Sequence, residues 1–206
     1  MLAAGATAAI AVVATLGAAA GEASASCLPP GAKLIAEGSA GVVYAADHAV
    51  YACSAGTGRR TRLGASGIAG PGATVAGPFA LAGSYVAYGT HTGGVDSASS
   101  EVFLRRLSTG RVISRASLFP TVLGPESSTA IESVVASPSG AYAWIVSGES
   151  IIHAHSFDIG VYAATPQSHL AGLLDRGPQI APRSLTLHGR RLSWRHGSET
   201  RHATLG

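Results

Sequence analysis

Four times along this chain an apolar run leads through a tight turn into a second run whose fourth position is aromatic. The copies are LIAEGSA-GVVY ending at Tyr44, FALAGS-YVAY at Tyr88, VVASPSG-AYAW at Trp144 and LTLHGR-RLSW at Trp194, so the aromatics fall 44, 56 and 50 residues apart. Beyond the first 25 residues no stretch holds the i, i+3, i+4, i+7 apolar spacing of an amphipathic helix. Short runs rich in Val, Ile, Tyr, Phe and Trp, punctuated by Gly, Ser and Pro, read as strands instead. The first copy continues through AVYACSA, the turn GTG and RRTRLG. The second continues through EVFLRRL, Ser108-Thr109-Gly110 and RVISRAS; the third through SIIHAHS and GVYAA; the last only through ETRHATL. Three units therefore supply four strands each and the fourth supplies three.

Four antiparallel strands per roughly 40–50 residues is the plan of a propeller blade. In the third copy, Ser137-Pro138-Ser139-Gly140-Ala141-Tyr142-Ala143-Trp144, Pro suits a turn φ of about −65° and Gly tolerates positive φ. This segment resembles the S-P-D-G-x-x-(A)-aromatic turn of the WD40-like repeats in TolB- and YncE-type secreted proteins. The other copies replace the Ser-Pro pair, and none has the Asp. The resemblance implies a β-propeller and no particular activity, because that scaffold hosts many. The expected fold is thus all-β: a small propeller-like array of about four antiparallel sheet units at about 33–65, 77–118, 131–167 and 180–206. A β-sandwich or open barrel is the alternative. The four aromatics are expected in the repeat core, between neighbouring sheets. The Gly/Pro-rich segments 64–78, 121–130 and 169–182 read as connections between units. The fourth strand missing from the last unit is open to supply by Leu28–Ala32, or a second copy covers the exposed edge, which makes a homo-oligomer one expected state.

Residues 2–21 are uncharged and mostly Ala and Gly, and Ala23-Ser24-Ala25 follows them as an A-x-A cleavage pattern. Residues 1–25 are expected to act as a signal peptide. An uncleaved N-terminal segment, which would give membrane association, is one alternative; lipidation at Cys27 is the other, disfavoured because Ser24 stands where a lipobox wants Leu. The remainder, 26–206, holds fourteen cations against ten carboxylates and two cysteines, Cys27 and Cys53. An even cysteine count in an exported chain reads as a disulfide. The location expected is secreted or cell-envelope, outside the cytoplasm.

Charged residues make up 12% of the chain and apolar ones 47%, which excludes a charge-solvated disordered protein. No phosphate-cradling G-x-x-x-x-G-K-[ST], dinucleotide G-x-G-x-x-G or nucleophile-elbow G-x-S-x-G is present. Asn is absent, so N-linked glycosylation is excluded. His153 and His155 would share one face of a strand, with Asp158 near them in sequence, yet two imidazoles fall short of a metal site, and chance alternation explains them more simply. The carboxylates occur singly and read as solvated turn residues. The arginines form three clusters: Arg59, Arg60, Arg62; Arg105, Arg106, Arg111, Arg115; and Arg190, Arg191, Arg195, Arg201. These fit solvated strand faces, with attraction to anionic polymers as the functional counterpart; no nucleic-acid motif accompanies them. No catalytic residue, metal or cofactor is expected. The sequence points to an exported, disulfide-stabilised β-repeat module without enzymatic activity, whose partner is a protein or an anionic cell-envelope polymer. A hydrolase or lyase with a central site is the competing expectation.

Overall fold

The computed structural model describes residues 27–67, 72–93, 98–118, 127–150, 157–168 and 170–206. Among these the chain is entirely strand, turn and loop. The first ribbon comprises β1 (Lys33–Gly38), β2 (Gly41–Ala46), β3 (Ala49–Ser54) and β4 (Arg60–Ala65). The second comprises β5 (Thr74–Ala82), β6 (Tyr85–Gly93), β7 (Ala98–Arg106) and β8 (Val112–Leu118). A third is built from β9 (Ser127–Ala136), β10 (Tyr142–Ser150), β11 (Phe157–Ala164) and β12 (Gly172–Arg176), and β13 (Thr186–His188), β14 (Arg191–His196) and β15 (Glu199–Thr204) follow as a separate three-stranded sheet. Within each ribbon, neighbours in sequence pair antiparallel.

The turns show why these runs break where they do. Asp47 and His48 both take positive φ, 49° and 58°, the two-residue geometry that matches the twist of a hairpin. Between β9 and β10, Gly140 has φ 87° and its N–H donates to Ser137 O at 2.9 Å. A Cβ at Gly140 would also lie 2.9 Å from Pro166 Cγ, so both conformation and space demand glycine there.

The ribbons do not form the radial array expected from the repeat spacing. Single parallel pairs, Ala65↔Val75 and Ala98↔Ser128, join the three ribbons edge to edge into one twelve-stranded mixed sheet. Its end strands, β1 and β12, meet no further strand, and among the described residues there is no closed barrel or propeller. The layered alternative, a sandwich of stacked sheets, fits better. Cys27 and Cys53 are joined, with Cα atoms 5.7 Å apart, and this bond gives the physical reason one route to closure fails. It ties Leu28 and Ala32 against Val42 and Tyr44 of the first ribbon, so that segment is withheld from the last sheet. A second correction concerns 169–182, read as a connection because of its Gly and Pro. It contains β12, which completes the third ribbon against β11.

Burial follows the strand alternation. Tyr88 packs with Val43, Val50 and Val86 between the first and second ribbons. Trp144 packs with Val102, Leu104 and Tyr142 between the second and third. Trp194 joins Ile145, Val161 and Leu192 where the small sheet lies on the third ribbon. Among the described residues no sheet precedes the one that holds Tyr44; the Cys27 segment covers it. Three of these rings stack on their cross-strand neighbours: Tyr44 on Tyr51, Tyr88 on Phe103 and Trp144 on Tyr162, at 5.6, 5.3 and 5.8 Å. In the fourth, the residue opposite Trp194 is Arg201.

Candidate anion-binding face

That single replacement organises the C-terminal sheet. Arg201 cannot stack into an apolar layer without a counter-charge, and Asp175 at the end of β12 supplies it. Asp175 Oδ1 accepts from Arg201 at 2.6 Å and from the backbone N–H of Arg176 at 2.9 Å. Its Oδ2 accepts from Trp194 Nε1 at 2.7 Å and lies 3.0 Å from His196 Nδ1. Burial of Asp175 disfavours its charge. The hydrogen bonds from Trp194, His196 and the Arg176 backbone, with the Arg201 guanidinium, outweigh that and hold the carboxyl below its ordinary value of 3.8. Read as a solvated turn residue in the sequence, Asp175 is instead the buried anchor of the small sheet.

With Leu192, Trp194 and His196 turned inward, strand alternation sends Arg191, Ser193 and Arg195 outward. The register adds His188 and Thr204 beside Arg191, Thr186 and His202 beside Ser193, and Thr200 beside Arg195. This outer face carries two arginines, two histidines and four hydroxyls, and no carboxylate. Thr186 and Ser193 hydroxyls meet at 2.9 Å, and Arg191 Nε donates to His202 Nδ1 at 3.3 Å. The charge is local: residues 183–206 hold five arginines against Glu199 alone, a formal +4, whereas the rest of the chain holds nine cations against ten carboxylates.

Open grooves flank the face at both ends. One, of about 620 Å³, runs between Glu132 of β9, the loop Ala181–Ser184 and Arg195. Its floor is fixed by hydrogen bonds: Ser147 Oγ donates to Glu132 at 2.5 Å, Ser133 Oγ to Pro182 O at 3.0 Å, and the Arg195 N–H to Ser184 Oγ at 2.9 Å. The other, of about 470 Å³, is lined by Arg190, Arg191, His202, Ala203 and Thr204.

Other residues singled out in the sequence are dispersed. His153 and His155 lie outside the described residues, as do residues 1–25, on which the expected signal peptide falls; Asp158 pairs with Arg176 at 2.5 Å. No group of three or more His, Cys, Asp or Glu able to hold a metal occurs among the described residues. Glu101 is engaged by Arg115. In the second arginine cluster, Arg105 donates to the buried Tyr88 hydroxyl, and Arg106 lies over the Tyr85 ring, 5.5 Å from its centre. Of the last cluster, Arg191 and Arg195 face outward while Arg201 is spent on Asp175. The signal that distinguishes them was available: Arg201 sits where the other units place an aromatic.

No protein-family model matches this chain, and no curated protein matches it in sequence; the WD40-like resemblance therefore rests on its short motif. The crystal structure of Porphyromonas gingivalis dipeptidyl peptidase 4 is similar over 76% of this chain and 28% of that one, at 7% identity and a TM-score of 0.50. The extracellular domain of a one-component system from B. thetaiotaomicron matches over 82% of this chain and 27% of its own, at 11% identity and a TM-score of 0.27. The chain thus spans less than a third of either structure. The first likeness speaks to an all-β fold and to nothing finer.

Proposed function

We propose that this chain is an exported, disulfide-stabilised β module that binds an anionic linear polymer along the outer face of its C-terminal sheet, without transforming it. The observation that carries this reading is the face of Arg191, Arg195, His188 and His202 set among hydroxyls with no carboxylate. A polymer bearing phosphate or carboxylate groups fits such a surface, because guanidinium forks and hydroxyls both serve anionic oxygens. The Cys27–Cys53 bond is compatible with a location outside the cytoplasm, where disulfides persist. The anionic cell-envelope polymer expected from the arginine clusters becomes, on this geometry, the favoured partner over a protein.

Calorimetric titration with long-chain polyphosphate and with polyglutamate tests the proposal. Saturable binding to at least one is expected, weakening as salt is raised from about 0.05 to about 0.5 M because charge attraction is screened. Absence of binding at low salt, or binding that the Arg191→Ala/Arg195→Ala double variant leaves unchanged, would overturn it.

A further inference from the structure

The twelve-stranded sheet has three edges with no described strand paired outside them: β8, which pairs β7 alone, and the two ends β1 and β12. The exposed large apolar side chains gather at the two ends. Leu34 and Ile35 on β1 are 44% and 42% exposed; Leu173 and Leu174 on β12 are 52% and 39% exposed, and Leu170 just before it is 85% exposed. Val112, on another outer strand, is the remaining one among the described residues. Sheet edges normally carry charge or proline to discourage pairing; both end strands here do carry charge, Lys33 and Glu37 on β1 and Arg176 on β12, but each also presents an adjacent pair of exposed aliphatic side chains.

The two edges also match in backbone form. Each end strand is bulged at its third residue: the register of β1 shifts between Leu34 and Ala36, leaving Ile35 extra, and that of β12 shifts so that Leu174 is extra. A bulge usually spoils a ladder by one residue. Two strands bulged at the same place stay in phase when laid side by side. Aligned in parallel, Gly172 to Arg176 run beside Lys33 to Glu37, which sets Leu173 against Leu34 and Leu174 against Ile35. The molecule already makes a junction of this type, where β4, the last strand of one ribbon, pairs in parallel with β5, the first of the next.

We infer that β12 of one copy pairs in parallel with β1 of a second copy, Leu173 and Leu174 packing on Leu34 and Ile35. Such a contact joins unlike surfaces, so copies add head to tail into a ring or an open chain. This surface is separate from the basic face, and each stands or falls by its own experiment.

Light scattering after size exclusion, on the full chain over a range of concentrations, tests it with two edge variants, Leu173→Lys and Ile35→Lys. Both positions are exposed, and an intact disulfide and unchanged circular dichroism check that each variant folds. The unaltered chain is expected to gain mass above one chain as concentration rises, and each variant to remain at one chain. An equimolar mixture of the two retains one good β12 and one good β1, so it is expected to form a two-chain species and nothing larger. A single-chain mass for the unaltered protein at every concentration would overturn the inference. So would a variant that associates as the unaltered chain does, or a mixture that stays at one chain.

Discussion

At Asp175 two carboxylate oxygens are met by Trp194, His196, Arg201 and the backbone N–H of Arg176. Truncating it would leave the Trp194 N–H and the Arg201 charge without their acceptor at a buried contact. Asp175→Ala is expected to lower unfolding stability by about 2 kcal/mol in urea titration, below the 3–5 typical of a fully buried pair because Arg201 stays partly solvated. The pH dependence follows from the direction of its shift. A carboxyl held below 3.8 in the folded chain binds protons less readily there than when unfolded. Its stabilisation is therefore complete above that ordinary value and disappears as pH falls through the lower folded-state value. Across that acid range the unaltered protein should lose stability more steeply than Asp175→Asn, and unfolding midpoints measured at several pH values below 5 would register it. The contrast with Trp144 is instructive: its ring is fully buried, yet its Nε1 finds no acceptor among the described residues. Equivalent aromatic positions are thus served by burial in one sheet and by a polar network in the next.

At the level of strands, alternation does most of the sorting. In β14 it divides Leu192, Trp194 and His196 from Arg191, Ser193 and Arg195, making one side core and the other a cationic surface. Replacing both Arg191 and Arg195 with Ala should weaken polyanion binding at least tenfold at low salt and flatten its salt dependence, while leaving stability within about 0.5 kcal/mol because both side chains point to solvent. In the first ribbon, the Cys27–Cys53 bond closes a loop across a sequence separation of 26. The Cys27→Ser/Cys53→Ser variant should lose about 3 kcal/mol in denaturant unfolding. It should also expose Tyr44, whose cover is the tied segment, and the tyrosine fluorescence of the first ribbon would report that release. Most of the described strands were legible in the sequence, because short β-branched and aromatic runs between Gly, Ser and Pro leave little choice of conformation. Strand β12 was not: five residues inside a Gly/Pro-rich segment carry too weak a pattern, and only the partner strand β11 decides that they pair.

Across the molecule, among the described residues, one apolar layer joins each ribbon to the next, supplemented by the single parallel pairs and, at the last sheet, by the Asp175 network. A stack built this way opens from its weakest layer rather than everywhere at once. Hydrogen exchange on Asp175→Ala is expected to accelerate in β12 to β15 and to leave β2 and β3 protected; uniform acceleration would mean that the layers are more tightly coupled than their contacts suggest.

Much of this protein was settled by local chemistry: strands and turns by residue type and backbone preference, the aromatic recurrence by its near-regular spacing, and the covalent tie by there being two cysteines to join. Spacing could not decide whether the sheets close on themselves, since that depends on which free edges meet in space, and the single parallel pairs at Ala65 and Ala98 leave the ends of the large sheet apart. It marked Arg201, seven residues after Trp194 as Tyr51 is after Tyr44, but could not show what that charge would meet, nor separate Asp175 from any solvated aspartate. A charge becomes an anchor or a surface according to what the opposite sheet places within about 3 Å of it, and only the tertiary structure sets that distance.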